Sequence, residues 1–294
     1  EEENVTALYK AILTALKRFR DFEIIFIDDG SKDGTMRVIR ELRSRDQRIK
    51  YISFSRNFGH QFAIKAGIDH ASGDFVITMD ADLQHPPEII NELIAKWQEG
   101  FKIVYTKRKD NKKYGFIKRI TTAAFYKITS WISDVKIEEG SADFRLIDRD
   151  VADLIRPIND NFLFLRGLLP WLGFTNTTVY FDIHARHAGK TKYTFRKMMS
   201  LAINGITSFS IKPLRLSIHT GLVISALSFL YALYAIYAKF FTNDVVEGWT
   251  SVLVAVLFIG GIQLIMIGII GEYLGKLFIQ SKGRQPYVIQ EKAL

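Results

Sequence analysis

Two pairs of carboxylates stand where hydrophobic runs stop. Asp28-Asp29-Gly30-Ser31 closes the run EIIFI, and Asp80-Ala81-Asp82 closes FVITM. In an extended strand, residues i and i+2 point to the same side, so Asp80 and Asp82 can converge on one object. Two carboxylates at close range repel each other, and a bound cation relieves that repulsion. Hard oxygen ligands suit Mg2+ or Mn2+, ions that also bridge to substrate phosphates. Acids after a strand often do no more than cap the next helix. Here the DxD follows a buried-type strand and has a second acidic pair beside it, which favours the metal reading.

Other chemistries find no support. There is no GxGxxG for a dinucleotide and no GxSxG elbow. Gly189-Lys190-Thr191 imitates the end of a P-loop, but the glycine required five positions earlier is His184. His184 and His187 have no HExxH pattern around them for zinc. The absence of cysteine removes disulfides, thiolate metal sites and a cysteine nucleophile, and it fits a reducing compartment. Lys+Arg of 40 against Asp+Glu of 31 leaves +9, which favours anionic partners. The basic residues gather in two stretches. One holds Lys107, Arg108, Lys109, Lys112, Lys113, Lys118 and Arg119; the other holds His184, Arg186, His187, Lys190, Lys192, Arg196 and Lys197. Lys112 and Lys113 read as a solvated face. Arg119 and Thr122 lie on an amphipathic pattern (Phe116, Ile120, Ala124, Ile128, Trp131) able to rest on a bilayer.

The elements that must position these groups alternate. Strand-like runs at 23–29, 50–55, 75–82 and 102–108 are separated by helical patterns after Thr35, over 61–71 and after Pro86-Pro87. Such alternation predicts an α/β fold with a mostly parallel sheet flanked by helices, binding ligands at the carboxyl ends of its strands. A helix capped by Asn4 opens the chain, so a first strand is expected to be missing. Two runs without Asp, Glu, Lys or Arg, at 216–238 and about 250–271, exceed the roughly 18–20 residues that cross a bilayer. Their connector holds Lys239, Asp244 and Glu247, whereas Arg196, Lys197, Lys212 and Arg215 precede them and Lys276, Lys282, Arg284 and Lys292 follow. Positive residues mark the cytoplasmic side, which predicts a hairpin with both ends cytoplasmic. Tyr231, Tyr234, Tyr237 and Trp249 suit the interfaces. Phe195, Met198, Met199, Ala202, Ile203, Ile206 and Phe209 recur at helical spacing as an interfacial helix, whose basic residues can hold lipid phosphates. The resulting division is a soluble domain over 1–193, an interfacial region over 194–214, the hairpin over 215–280 and a tail over 281–294. Gly271 and Gly275 form one GxxxG, slender support for a homo-oligomer.

The combination DDGSKDGT (28–35), SRNFGHQFAIKAGIDHASGD (55–74), MDADLQHPPE (79–88), ADFRLIDR (142–149) and RHAGKTKYTFRKM (186–198) resembles the polyisoprenyl-phosphate glycosyltransferases. These belong to glycosyltransferase family two and have a GT-A fold. Within them it resembles the bactoprenol glucosyltransferases, which end in a pair of membrane helices. DDGS and DAD are shared across family two; DADLQHPPE with GKTKY and the hairpin is narrower. The opening EEEN is similar to the tail of the family's YNEEEN, and the stretch around Asp110-Asn111 looks shorter than the family's loop.

The resemblance implies roles. Glu1, Asp29 and Ser31 would contact the nucleotide, and Asp80, Ala81 and Asp82 the diphosphate, with Asp80 and Asp82 as metal ligands. Gln84 would lie near the sugar or diphosphate, and Arg108 would steady donor phosphates. Arg119, Thr122, Arg186 and Lys192 would bind the lipid phosphate. Asp143, with Arg145 beside it, would act as base or orient the sugar. The implied reaction moves a sugar, glucose from UDP-glucose in the first instance, to polyprenyl (undecaprenyl) phosphate with inversion. It would take place at the cytoplasmic face of a bacterial plasma membrane, by a multi-pass protein. GDP-mannose and other donors serve relatives of similar design. A processive polysaccharide synthase would need more membrane helices and a QxxRW-like motif. A membrane-anchored scaffold or a nucleic-acid binder would leave the acidic pairs without a purpose, so no nucleic-acid partner is expected.

Overall fold

The computed structural model describes residues 2–109, 141–182, 210–241 and 248–294. Strand and helix alternate through the first half: α1 (Glu2–Ala15), β1 (Ile24–Asp28), α2 (Thr35–Arg45), β2 (Ile49–Phe54), α3 (His60–His70), β3 (Phe75–Thr78), a short 3-10 turn, α4 (Ile90–Gln98) and β4 (Ile103–Arg108). Then come β5 (Ser141–Asp148), α5 (Arg149–Ile155), α6 (Leu165–Trp171) and β6 (Asn176–Phe181). Two long helices, α7 (Lys212–Phe241) and α8 (Trp249–Ser281), precede a last strand, β7 (Ile289–Ala293).

The α/β class holds, but the sheets are mixed where the alternation predicts mostly parallel pairing. β1 pairs with β2 in parallel, and β7 joins β2 antiparallel. In the second sheet, ordered β3-β5-β4-β6, β5 runs antiparallel to both of its neighbours, and only β4 and β6 are parallel. The strand that changes the pattern is SADFRLID, whose two acids and one arginine hide its period of two. Asn4, expected as a cap, lies inside α1 and is buried against the domain.

Period-two alternation in β5 decides what each face of the second sheet does. Ala142, Phe144 and Leu146 point into one core with Ile90, Leu93 and Ile94 of α4. Ile147 points into the opposite core, with Ile68 of α3, Val151 and Ile155 of α5, and Leu165 and Leu168 of α6. Asp143 and Arg145 share the parity of Ile147, so two charged residues are placed on the face covered by α3 and α6.

Residues Lys212–Tyr231 of α7 and Val254–Ser281 of α8 are long and apolar enough to cross a membrane, and no part of either is buried inside the protein. Large side chains such as Leu222, Phe229, Phe258 and Leu264 stay exposed. The chain then comes back. Tyr287 stacks on Phe54 with centroids 4.9 Å apart and donates to Asp69 at 2.7 Å, and Glu291 accepts from Tyr51 at 2.6 Å and pairs with Arg40. The segment expected as a tail is therefore an edge strand of the first sheet.

One glycine in the first acidic motif is required by shape. Gly30 has φ +70°, and a Cβ there would sit 2.5 Å from the carbonyl carbon of Arg56 and 2.7 Å from the nitrogen of Asn57. Gly67 in α3 faces only ordinary contact with Ile27 at 3.7 Å. Gly30→Ala should therefore cost about 2–4 kcal/mol, through strain plus backbone collision. Gly67→Ala should be neutral or gain up to about 1 kcal/mol. Thermal unfolding of the two purified variants in detergent checks the ordering.

Candidate active site

The antiparallel register explains why two acidic positions far apart in sequence meet. Thr78 of β3 lies opposite Arg145 of β5. Carrying that register two residues on, 78 to 80 and 145 to 143, brings Asp80 across from Asp143. The Thr78 hydroxyl donates to the Asp143 carbonyl and ties the strand end in place. His60, the first residue of α3, stands between the two carboxylates: its Nε2 is 3.1 Å from Asp143 Oδ2 and 3.5 Å from Asp80 Oδ1.

Asp143 is only 5 % exposed, and four donors surround it. Arg166 of α6 grips it with two parallel bonds, Nε to Oδ1 at 3.0 Å and Nη2 to Oδ2 at 2.8 Å. Arg145 Nη2 donates to Oδ1, and His60 approaches Oδ2. An ionised carboxylate offers about four lone-pair sites and can only accept, so His60 carries its proton on Nε2 and no site on Asp143 is left over. Burial pushes the Asp143 carboxyl up, but His60, Arg166 and Arg145 together hold it well below the usual carboxylate range. A fully partnered carboxylate that resists protonation is a poor proton acceptor and a firm anchor.

The two histidines beside Asp80 are driven in opposite directions. Burial would lower His60, but the carboxylates of Asp143 and Asp80 outweigh it and raise its pKa above the ordinary imidazole value. His85, 1 % exposed, is lowered by burial. Its ring stacks on Phe144 with centroids 5.3 Å apart, its Nδ1 lies 3.9 Å from Asp80 Oδ2, and neither ring nitrogen has a hydrogen-bond partner among the described residues. His85 feels the charges of Asp80, Arg108, Asp82 and Asp143, the first of them at 3.9 Å.

The loop carrying the second acidic motif is held in a strained shape. Leu83 has φ 59°, the left-handed region that a leucine rarely enters, and no other non-glycine among the described residues has a positive φ. Asp82 Oδ1 accepts the N–H of Gln84 at 3.1 Å, closing a tight turn around it. Backbone strain of this kind gathers where a loop must present its side chains in one way. Two carboxylates fit a hard divalent ion that takes one or two protein ligands and completes its shell from phosphate oxygens and water. No larger cluster of His, Cys, Asp and Glu able to hold a metal occurs among the described residues.

The first motif has a different local job. Asp29 accepts backbone N–H groups from Phe58 at 2.6 Å and Gly59 at 2.9 Å, shaping the loop that enters α3. Burial nevertheless raises its pKa, and it feels the charge of His60. Asp28 accepts from Ser53 at 2.9 Å and from the N–H of Ser31 at 3.2 Å. Asp28 and Ser31 line a cavity of about 620 Å³ at the carboxyl ends of β1 and β2, with Arg56, Asn57 and Gln290 of the returning tail. Glu2, one residue past the expected Glu1, accepts from Gly34 at 3.1 Å and pairs with Arg37 at 2.8 Å, so it faces the start of α2.

Of the residues expected from sequence, Asp80, Asp82, Asp143 and Arg145 come together with Arg108 in electrostatic range, Ala81 and Gln84 lie in the same loop, Ser31 lines the neighbouring cavity, and Asp29 is turned to the backbone of Phe58 and Gly59 instead. Glu1, Arg119, Thr122, Arg186 and Lys192 lie outside the described residues. His60, His85 and Arg166 were not foreseen. His85 sits within DADLQHPPE and His60 within SRNFGHQF, so proximity to the motifs was a usable signal for both. Arg166, in FLRGLLPW, carried no such signal.

Comparison with known proteins bears on this geometry. Residues 1–156 match the Glycosyl transferase family 2 model, and residues 212–277 match the GtrB C-terminal hairpin. Over 294 residues the chain is 44 % identical to the bactoprenol glucosyl transferase of Shigella phage SfV, covering 99 % of this chain and 95 % of the relative. It is 43 % identical over 292 residues to a prophage bactoprenol glucosyl transferase homolog of Escherichia coli K12, covering 99 % and 95 %. To the uncharacterized glycosyltransferase YkcC of Bacillus subtilis it is 41 % identical over 292 residues, covering 99 % and 90 %.

The saturation of Asp143 makes a direct prediction. Asp143→Asn keeps the shape but leaves Arg145 and Arg166 facing a neutral amide, and it should lower kcat by about 100-fold. The loss should be constant from about pH 6.5 to 9, because no proton on Asp143 is in play there. A pH–rate series on the folded variant checks it; recovery of the rate on the alkaline side would return Asp143 to the role of base.

Proposed function

The chain belongs to glycosyltransferase family 2 and carries a GtrB-type C-terminal hairpin, and from that premise we propose that it transfers a sugar from a nucleotide sugar to a polyprenyl phosphate at a membrane surface. Glucose from UDP-glucose is the donor we favour, undecaprenyl phosphate the acceptor, and inversion the outcome. The bactoprenol glucosyl transferases that match nearly the whole chain support this choice. The observation that carries the reading is the meeting of the Asp80–Asp82 turn with the ionised, fully bonded Asp143, in a chain that also presents two lipid-compatible helices.

In the proposed reaction, an acceptor phosphate oxygen attacks the anomeric carbon in line. The bond to the nucleotide diphosphate breaks, and its electron pair leaves with the diphosphate. A phosphate monoester has its second pKa near 6 and is largely ionised at neutral pH. Little proton transfer is then required, which suits a site whose central carboxylate has no lone pair to spare. Asp80 and Asp82 would hold Mg2+ or Mn2+, which when bound would supply positive charge to the diphosphate. Arg108 would add charge on the same side. Asp143 would position His60, Arg145 and Arg166, and Ser31 and Asp29 would border the nucleoside end. Arg119, Thr122, Arg186 and Lys192 are proposed for the acceptor phosphate. We assign 1–193 to catalysis and 215–280 to a two-span anchor in a bacterial plasma membrane, with the catalytic part cytoplasmic.

The reading is tested by offering radiolabelled UDP-glucose, GDP-mannose, UDP-N-acetylglucosamine and UDP-aminoarabinose with undecaprenyl phosphate, with Mg2+ or Mn2+ and with chelator. Label should enter the lipid extract from UDP-glucose at least about 10-fold faster than from the others, and chelation should abolish it. Preference for another donor would reassign the sugar, and no incorporation from any would overturn the transferase reading. Asp82→Asn should weaken metal-dependent binding of the nucleoside diphosphate by at least about 10-fold in calorimetry, about 1.4 kcal/mol.

A further inference from the structure

The last turn of α8 is fastened to the soluble half by one amide. Gln280 Oε1 accepts from the backbone N–H of Asn161 and from its side-chain Nδ2, both at 3.0 Å, and Gln280 Nε2 donates to the carbonyl of Asn159 at 2.6 Å. One turn earlier, Lys276 Nζ lies 5.0 Å from the centroid of the Phe162 ring. The receiving segment has little freedom. The Phe162 N–H donates to Asp160 at 2.8 Å, Leu163, Phe164 and Leu165 are buried, and the Leu165 N–H donates to Gln61 Oε1 at 3.0 Å. The next residue is Arg166, whose guanidinium grips Asp143. Gln61, in turn, adjoins His60. A path of six residues, from 161 to 166, links the end of the apolar hairpin to the buried carboxylate.

We propose that Gln280 is a positioning residue for the transfer reaction, fixing the 159–165 segment so that Arg166 meets Asp143 in one geometry only when the hairpin is seated. The proposal rests on the transferase reading above. Hydrogen bonds as exposed as these add little to stability. Their value lies in direction: a segment pinned at Asn161 by α8 and at Leu165 by α3 leaves Arg166 one place to stand. Arg166 sets the orientation of Asp143, and through Asp143 that of His60 beside Asp80. Small displacements of such a group cost rate far more than they cost binding. Membrane seating and the alignment of reacting groups thereby become one structural event.

The test uses the full chain in lipid nanodiscs, comparing wild type with Gln280→Ala and Gln280→Glu. The glutamate keeps the oxygen that Asn161 donates to and loses the donor to Asn159. Gln280→Ala should lower kcat by about 10-fold or more with KM for the nucleotide sugar unchanged, and Gln280→Glu should recover most of the rate. Amide hydrogen exchange over 158–166 should quicken in the alanine variant alone. An unchanged kcat in Gln280→Ala would overturn the proposal, showing that the buried Leu163–Leu165 stretch holds Arg166 unaided. So would a loss of kcat that glutamate fails to restore and that comes without faster exchange. Wild type that transfers no sugar from any donor would instead remove the transferase reading, and the exchange arm, which needs no turnover, would still decide whether Gln280 holds the segment.

Discussion

A carboxylate withdrawn from water must find opposite charge and enough donors, and Asp143 obtains both from three separate elements. β5 supplies Arg145 two residues away, α6 supplies the Arg166 fork, and α3 supplies His60. Removing Asp143 would leave the buried Arg145 guanidinium without its carboxylate, a cost of roughly 3–5 kcal/mol for a buried pair. This need for neutralisation draws α3, β5 and α6 to a common point on one face of the second sheet. Asp80 lies next to that point because β3 pairs with β5 in antiparallel register. The acidic loop is thus seated by a sheet on one side and by a charge cluster on the other.

Electrostatics also arranges the surroundings. Asp80 stands between a histidine raised by the carboxylates of Asp143 and Asp80 and one lowered by burial. Two anions, a nucleotide diphosphate and a lipid phosphate, have to approach within bonding distance in the proposed reaction. In that proposal carboxylates with a divalent ion would serve the first, and arginine and lysine the second, which would account for a chain of net charge +9 that carries acids at its strand ends. The return of the chain through β7 joins the end of α8 to the first sheet, and Gln280 joins it to the connection between α5 and α6.

Much of this was legible in the residues. Acids that close hydrophobic runs marked the carboxyl ends of β1 and β3, where the site lies, because a strand that stops at a charged pair has to be at an edge of the core. The uncharged runs in α7 and α8 stood out by length, and both form long helices that are not buried in the protein. What escaped had physical reasons. β5 did not read as a strand, because Asp143 and Arg145 occupy inward positions where apolar residues are the rule, and this also hid the mixed pairing. Arg166 lies between apolar residues in a seven-residue helix whose pattern spoke of packing alone. β7, IQEKA, alternates weakly in hydropathy and follows a long apolar helix, where a tail was the simpler reading. In each case a long-range contact, invisible to local pattern, overrode it.

The account turns on Asp80 and Asp82 holding a divalent ion beside Asp143. Anomalous diffraction from crystals grown with Mn2+ and a nucleoside diphosphate measures this most directly. The account predicts one strong peak at about 2.1 Å from carboxylate oxygens of the Asp80–Asp82 turn and from diphosphate oxygens, on the side facing His60. A peak elsewhere with the nucleotide bound, or nucleotide in the cleft with no metal signal, would contradict it.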